Sequence, residues 1–340
     1  MLIKDYMSRV SRHRSGIMGF CILAVVLCHA DFKFQSGPLS YFFNLLWEID
    51  IFFFLTGMGV YRSLCRDERL LPFYRRRFTR IYPRYLPIII LYFIPIFALY
   101  TDAATLPLRL RELLGNVSML GWLNNMDNQF NWYIQAVMVF YFVSPPLVLL
   151  VRRFGGDWRK LAALLGFFVI TQPCFMGSGT LIAYSRAIAF VMGMVGAELA
   201  AGEKNFRINV PVLLLVFAAG NLLTYYTNTL PVETGIYYGI CWYPGLLVVP
   251  GMMLILCVVF EFCSKYPALR WISRFFELMG EYSLDIYLVN VLVYDVIARL
   301  RIEINGNLMW ALVAAAIIPL SLLYGAAMNR LLSRGKTKTA

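Results

Sequence analysis

The sequence predicts an all-α fold, a polytopic transmembrane helix bundle with about ten spans. The 340 residues are 60% hydrophobic and 15% charged, whereas soluble domains are about 45–50% apolar and about 25% charged. The apolar runs are continuous and close to 20 residues long, which suits helices that cross a bilayer. They do not alternate at every second residue, as the strands of a membrane barrel would.

Charged or turn-rich stretches divide the chain into ten apolar segments. These segments are 16–32, 42–62, 84–100, 131–151, 161–176, 181–200, 210–226, 239–262, 283–298 and 308–328. Nine or eleven spans are the alternatives, because 161–176 is short and Arg186 interrupts the sixth segment. No small-residue cleavage site follows the first segment, so we expect no cleavable signal peptide. We expect one membrane-embedded domain over 1–340, with cytoplasmic tails at 1–15 and 329–340.

The distribution of positive charge predicts the orientation of these spans. With ten spans, 25 of the 31 Lys and Arg residues fall on one side of the membrane. The remaining six are Lys33, Arg109, Arg111, Arg186, Arg299 and Arg301. Because cytoplasmic loops are enriched in Lys and Arg, both termini are predicted to be cytoplasmic. The largest outer loop, 101–130, includes the polar run 124–129 and is expected to lie in water or at the interface.

Composition also argues against two classes of function. The net charge of +12 is accounted for by membrane orientation, so we expect no nucleic-acid partner. The seven cysteines and two histidines lack the spacing of metal ligands, and the sequence predicts neither a metal site nor a bound cofactor.

His29 is the first candidate for chemistry, because it lies in the first apolar segment. A charged side chain at the centre of a membrane helix costs roughly 2.5 kcal/mol or more, so such residues are candidates for function. Histidine is also the side chain best suited to act as a base near neutral pH. The alternative is a neutral, hydrogen-bonded histidine that joins two helices. The other histidine, His13, belongs to the basic N-terminal stretch.

Asp50 is the predicted partner of His29. The first two spans form an antiparallel hairpin centred near residue 39, and His29 and Asp50 lie ten and eleven residues from that point. With a constant rise per residue, both reach a similar depth. A carboxylate beside an imidazole fixes its tautomer and orientation, so Asp50 would make His29 a better base. Glu48 is a weaker alternative partner, and an unrelated interfacial carboxylate is the alternative interpretation of Asp50.

An arginine cluster occupies Phe73–Tyr85, which the span count places in a cytoplasmic loop. The stretch holds five arginines, no lysine and no acid. A topological anchor or a contact with anionic lipid would explain the charge. Arginine is also suited to bidentate recognition of phosphate, and Arg77 and Arg80 would share one face of a helix. A phosphate-rich cytosolic donor would fit these residues, with Arg76 beside them.

Two further stretches place polar side chains in apolar segments. Asn131–Gln135 enters the fourth span with Trp132 and Tyr133, which at an interface are usually belt anchors. The ninth span carries Asp285 and Asn290, for which hydrogen bonds between helices are the simplest interpretation.

In combination, these stretches resemble acyltransferase family 3, a family of integral membrane proteins. The stretches that carry the resemblance, in chain order, are Met18–His29, Ile49–Gly57, Phe73–Tyr85, Trp132–Ile134 with Phe140, Tyr141 and Pro145, and Tyr282–Leu288. Two positions depart from the family pattern. Met18 stands where many members have an arginine, although Arg14 is one turn earlier. Asn290 stands where many have a histidine.

The resemblance implies an enzyme of the plasma or inner membrane that moves an acyl group, most simply acetyl, from cytosolic acyl-CoA to a hydroxyl of a surface or exported polysaccharide. It implies that His29 is catalytic, as a general base or a transient acyl acceptor, with Asp50 beside it. It also implies that Arg77, Arg80 and Arg76 bind acyl-CoA. Trp132, Tyr133 and Asn290 are the candidate substrate-binding residues.

Two other functions are weighed against this one. A transporter or flippase of a lipid-linked glycan would suit ten spans, buried acids and Arg186. Such proteins often show repeated halves with broken helices, which the sequence does not display. A glycan polymerase would be expected to carry a longer outer loop than 101–130.

Overall fold

The protein is all-helical over the part of the chain that the computed structural model describes. That part comprises residues 1–30, 32, 48–121, 131–175, 181–228, 230 and 242–337, with side chains up to residue 333. It forms α1 (Ile3–Arg12), α2 (Arg14–His29), α3 (Glu48–Arg66), α4 (Leu70–Leu99), α5 (Leu106–Ser118), α6 (Trp132–Phe154), α7 (Trp158–Thr171), α8 (Leu181–Ala201), α9 (Val210–Asn228), α10 (Tyr243–Lys265), α11 (Arg270–Glu281), α12 (Ser283–Arg299) and α13 (Asn307–Thr337). No strand occurs in these residues, which confirms the predicted class. Lys33 and the polar run 124–129 lie outside them.

Six of these helices are long and apolar enough to cross a membrane, namely α4, α6, α8, α9, α10 and α13. Helices α1 and α2 are bent by 68° at their junction and would make a seventh span if they cross together. Of the other predicted spans, α7 and α12 have only 14 and 17 residues. The count of ten spans and the orientation therefore stay predictions, whereas the helical membrane character is confirmed.

Several helices occupy stretches that the sequence assigned to tails and loops. The predicted cytoplasmic tail 1–15 contains α1, whose Tyr6 and Met7 are buried. The predicted outer loop contains α5, and the stretch before the ninth span contains α11. A search for continuous apolar runs misses amphipathic helices, because half of their residues are polar. At the other terminus, α13 continues into the predicted tail as far as Thr337.

Helix α4 begins at Leu70, fourteen residues before the predicted span. The arginine cluster is therefore helical and does not form a loop. Pro83, Pro87 and Pro95 lie inside this helix. Membrane helices tolerate internal proline because neighbouring groups satisfy the freed backbone carbonyls. A prediction based on hydropathy misses the first half of this helix because of Pro83 and the charges around it.

Two pairs of glycines bring the helices that carry the site into close contact. A Cβ at Gly57 of α3 would collide with the carbonyl oxygen of Phe190 in α8, and one at Gly193 would collide with that of Phe54. Gly19 of α2 and Gly280 of α11 meet in the same way. Small residues allow membrane helices to pack backbone against backbone, so these glycines fix the positions of α2 and α3.

Replacement of Gly57 by alanine is expected to lower the free energy of unfolding by about 1–3 kcal/mol, the usual cost of overpacking. Thermal unfolding of the purified protein in detergent measures this change. Gly166→Ala in α7 is the matched control, because a Cβ at Gly166 would meet no atom within 4 Å. Equal unfolding temperatures for Gly57→Ala and the wild type would contradict the close approach of α3 and α8.

Candidate active site

One face of α2 runs through the middle of the candidate site. Arg14, Met18, Ile22, Val25 and His29 recur every three or four residues and so share this face. The first four line a narrow cavity of about 80 Å³ enclosed by α2, α3, α4, α6 and α12, which we call the central cavity. At 1.5 Å per residue, the face extends about 22 Å from Arg14 to His29.

At the Arg14 end, the central cavity meets a wider and strongly basic opening. This opening, the arginine mouth, has a volume of about 490 Å³. It is lined by Ser11, Arg14, Met58, Gly59, Arg62, Ser63, Arg66, Arg76, Arg77 and Arg80. Arg14, Arg77 and Arg80 line both cavities and form the neck between them. The structure therefore brings the predicted donor residues Arg77, Arg80 and Arg76 together and adds arginines from α2 and α3.

Arg77 is held in the neck by packing, and Arg14 reaches the same neck. The Arg77 guanidinium lies over the rings of Phe73 and Tyr141, at 5.4 and 5.1 Å from their centroids. Arg14 reaches the same neck from α2, one turn before Met18. The α2 face carries a guanidinium into the cavity.

Asp67 is the acid at the rim of the arginine mouth, in the turn between α3 and α4. A side-chain hydrogen bond from Arg69 lowers the pKa of Asp67 to about 2, so this carboxylate is ionised at neutral pH. It also lies 3.6 Å from Arg76. Arg76 is therefore partly neutralised, whereas Arg77 and Arg80 have no described carboxylate within ion-pair distance.

His29 ends α2, one turn beyond the cavity-lining Val25, and its side chain is exposed. Its Nδ1 lies 2.6 Å from Nδ2 of Asn290 in α12. The imidazole also packs edge-on against the ring of Tyr294, at 6.2 Å between centroids. Asn290, predicted as a substrate-binding residue, is therefore in direct contact with the imidazole, and its position next to His29 could not be read from the sequence.

The side-chain amide of Asn290 sets the tautomer of His29. When the amide nitrogen donates to Nδ1, the imidazole carries its hydrogen on Nε2. When the amide is turned by half a rotation, its oxygen accepts from Nδ1–H and leaves Nε2 with a lone pair. The second arrangement makes Nε2 available to accept a proton.

Asp50 does not pair with His29, which corrects the prediction. Its Oδ2 accepts a hydrogen bond from Nη1 of Arg186 in α8 at 2.8 Å, and both side chains are buried. The Arg186 guanidinium also lies 5.3 Å from the ring centroid of Trp242. A buried guanidinium attracts the nearest carboxylate strongly, so Asp50 is held by α8. Glu48, the weaker alternative, is buried at the start of α3, and its Oε2 has no hydrogen-bond partner among the described residues.

Of the remaining candidates, some line the central cavity and others hold the surrounding helices together, which we call the framework. Tyr133 lines the central cavity, packed against the rings of Phe53 and Tyr287 at 5.2 and 5.1 Å. Trp132 packs edge-on against Tyr133 but is absent from the cavity lining. Tyr133 thus faces the central cavity, whereas Trp132 contacts Tyr133 outside the cavity lining.

Asp285 belongs to the framework. Both of its carboxylate oxygens accept hydrogen bonds from Nη1 of Arg84, at 2.7 and 2.6 Å. The hydroxyl of Tyr324 donates to the backbone carbonyl of Arg84. These contacts tie α4, α12 and α13 together beside the cavity, as expected for hydrogen bonds between helices.

Comparison with known proteins identifies one family. A family model described as an acyltransferase domain, that of acyltransferase family 3, matches residues 16–326. The matched range contains the α2 face from Met18 to His29, the arginines of α4 and Asn290. Neither a curated protein nor a solved structure matches the chain significantly.

Proposed function

Because the chain belongs to acyltransferase family 3, we propose that it transfers an acyl group, most simply acetyl, from cytosolic acyl-CoA to a hydroxyl of a surface or exported polysaccharide. Family membership and the apolar helices make the protein a multi-pass membrane acyltransferase. The donor, the acceptor, the role of His29 and a location in the plasma or inner membrane are the parts we propose.

The observation that carries the proposal is the face of α2 that lines the central cavity from Arg14 to Val25 and continues for one more turn to His29. Phosphates of the donor would bind Arg77 and Arg80 in the neck, where guanidinium groups suit phosphate oxygens. The extended pantetheine arm would enter the central cavity and carry the thioester toward His29. The face of α2 from Arg14 to His29 is about 22 Å long at 1.5 Å per residue. The extended pantetheine arm has a length of the same order. Because the cavity is narrow, we expect the flexible Met18 side chain to move aside.

The reaction would take place beside His29. Nε2 of His29 removes the proton from the acceptor hydroxyl as the hydroxyl oxygen attacks the thioester carbonyl. The carbon–sulfur bond breaks, and the departing CoA thiolate takes the proton from the imidazolium, which restores His29. With its amide turned so that the oxygen accepts from Nδ1–H, Asn290 would hold the imidazole in the tautomer that this step requires, in the place that a carboxylate or carbonyl takes in other sites.

Mass spectrometry of surface glycans tests the proposal. Cells that lack the protein are expected to lose the ester-linked acyl groups from one glycan while the amount of that glycan is unchanged. Restoration of the wild-type protein should restore the esters. A fall in the amount of glycan with its acylation intact would instead support a transporter and contradict the proposal.

A further inference from the structure

The arginine mouth holds a second row of cations that a single phosphate group would leave unused. Arg62 and Arg66 are four residues apart on α3, so they lie on one face of that helix. Both are exposed, and both line the mouth opposite the arginines of α4. No acidic side chain takes part in the described lining.

The charges of this row are not neutralised within the part of the chain that is described. Arg62 donates a hydrogen bond to the hydroxyl of Ser11, and no described carboxylate lies within ion-pair distance of Arg62 or Arg66. The same holds for Arg14 in the neck. Guanidinium groups gathered around one cavity repel one another, so the arrangement is complementary to a ligand with several negative charges.

The cations stand at two levels along the mouth. Nη1 of Arg14 lies 3.6 Å from the position that a Cβ of Gly59 would occupy. The neck is therefore at the same height along α3 as Gly59. Arg62 and Arg66 follow Gly59 by three and seven residues, which places them about 4.5 and about 10 Å further along α3, away from the central cavity. A ligand whose chain enters the central cavity would therefore place its first phosphates at the neck and any further phosphate at the outer row.

We propose that Arg62 and Arg66 bind the ribose 3′-phosphate of the CoA donor, while the neck arginines bind its 5′-diphosphate. This inference rests on the proposed function, since it names the part of the donor that each level recognises. The ribose separates the two phosphate groups, as a distance of about 4.5 to about 10 Å along α3 separates Arg62 and Arg66 from the neck. Bidentate contacts from two arginines make the 3′-phosphate a determinant of donor affinity.

Binding measurements with two nucleotides test the inference. The full-length protein in nanodiscs of zwitterionic lipid is titrated with CoA and with 3′-dephospho-CoA. The wild type is expected to bind CoA at least tenfold more tightly. Arg62→Gln/Arg66→Gln should bind CoA no more tightly than dephospho-CoA, with its affinity for dephospho-CoA unchanged. Arg77→Gln should weaken both ligands alike.

Arg75→Gln is the matched control, because Arg75 is exposed, has the same charge and lies outside the mouth. It is expected to keep the wild-type preference for CoA. Since Arg62 contacts Ser11, the single variant Arg66→Gln is measured as well, and a several-fold loss of the preference is expected from it. Size-exclusion profiles and unfolding temperatures establish that each variant is folded.

The outcomes separate this inference from the proposed function. Equal affinity of the wild type for CoA and dephospho-CoA would overturn the inference and leave acyl-CoA as donor. Binding of neither nucleotide would overturn both. Loss of the preference only in nanodiscs that contain anionic lipid would show that headgroups compete for the same row. If Arg75→Gln also lost the preference for CoA, the preference would depend on the overall charge of the protein, and the inference would be overturned.

Discussion

Replacement of His29 by alanine is expected to lower the rate of acyl transfer by at least hundredfold while the affinity for CoA stays unchanged. A positioned general base contributes about 10²- to 10⁴-fold to the rate of such a reaction. His29 lies about 22 Å along α2 from the arginine neck, at 1.5 Å per residue, so its loss should not disturb donor phosphates. CoA release with acceptor present, measured beside CoA binding, separates the two effects.

Cys28→Ala is the control for this variant. Cys28 precedes His29 on the same helix and is half-buried, but it does not line the central cavity. Its replacement is expected to leave transfer and binding close to the wild type. Transfer at the wild-type rate by His29→Ala, with equal protein abundance, would contradict the assigned role.

Asn290 provides a second test of the same chemistry. Asn290→Leu removes the group that faces Nδ1 of His29, and kcat is expected to fall with little change in KM for the donor. Asn290→Asp puts a carboxylate oxygen, which accepts from Nδ1–H, where the amide nitrogen of Asn290 lies 2.6 Å from Nδ1, and this variant should retain most of the activity. Rescue by aspartate is the readout that a purely structural role would not give, since leucine and aspartate both fill the site.

Replacement of Arg186 by leucine is expected to lower the free energy of unfolding by about 3–5 kcal/mol, because it leaves a buried carboxylate without its counter-charge. Asp50 is 0% exposed and Arg186 is 3% exposed, so water cannot replace the lost partner. Denaturant unfolding in detergent and the amount of folded protein in membranes both report this loss.

Asp50→Leu/Arg186→Leu is the decisive companion variant. When both charges are replaced by apolar groups, no uncompensated carboxylate is left, and most of the lost stability should return. Arg299→Leu is the matched control, because its ion pair with Asp295 at 2.8 Å is partly exposed and should contribute less than about 1 kcal/mol. A double variant as unstable as Arg186→Leu would contradict the account of the pair.

Features that depend on local sequence could be predicted, and features that depend on distant side chains could not. Continuous apolar runs predicted the helical class, and the density of arginine around Arg77 predicted a cluster of positive charge, which lines the arginine mouth. Helix α4 begins at Leu70, whereas the predicted span begins at residue 84. The prediction missed the first half of the helix because a search based on hydropathy excludes its charged residues. The partner of Asp50 is 136 residues away and that of His29 is 261 residues away.

The His29–Asp50 prediction shows why depth alone was insufficient. Equal distance from the hairpin centre places two residues at one level, but it does not say which way each side chain points. Asp50 faces α8 and Arg186, whereas His29 faces α12 and Asn290. The polar residue that stood out as a departure from the family pattern is the one that contacts the imidazole.

The most direct test of the central claim is acyl transfer by the purified protein in proteoliposomes, with radiolabelled acetyl-CoA on the side of the arginine mouth and the glycan on the other. The account predicts ester-linked label on the glycan and stoichiometric release of CoA, both lost in His29→Ala. Release of CoA without label on the glycan, or labelling that persists in His29→Ala, would contradict it.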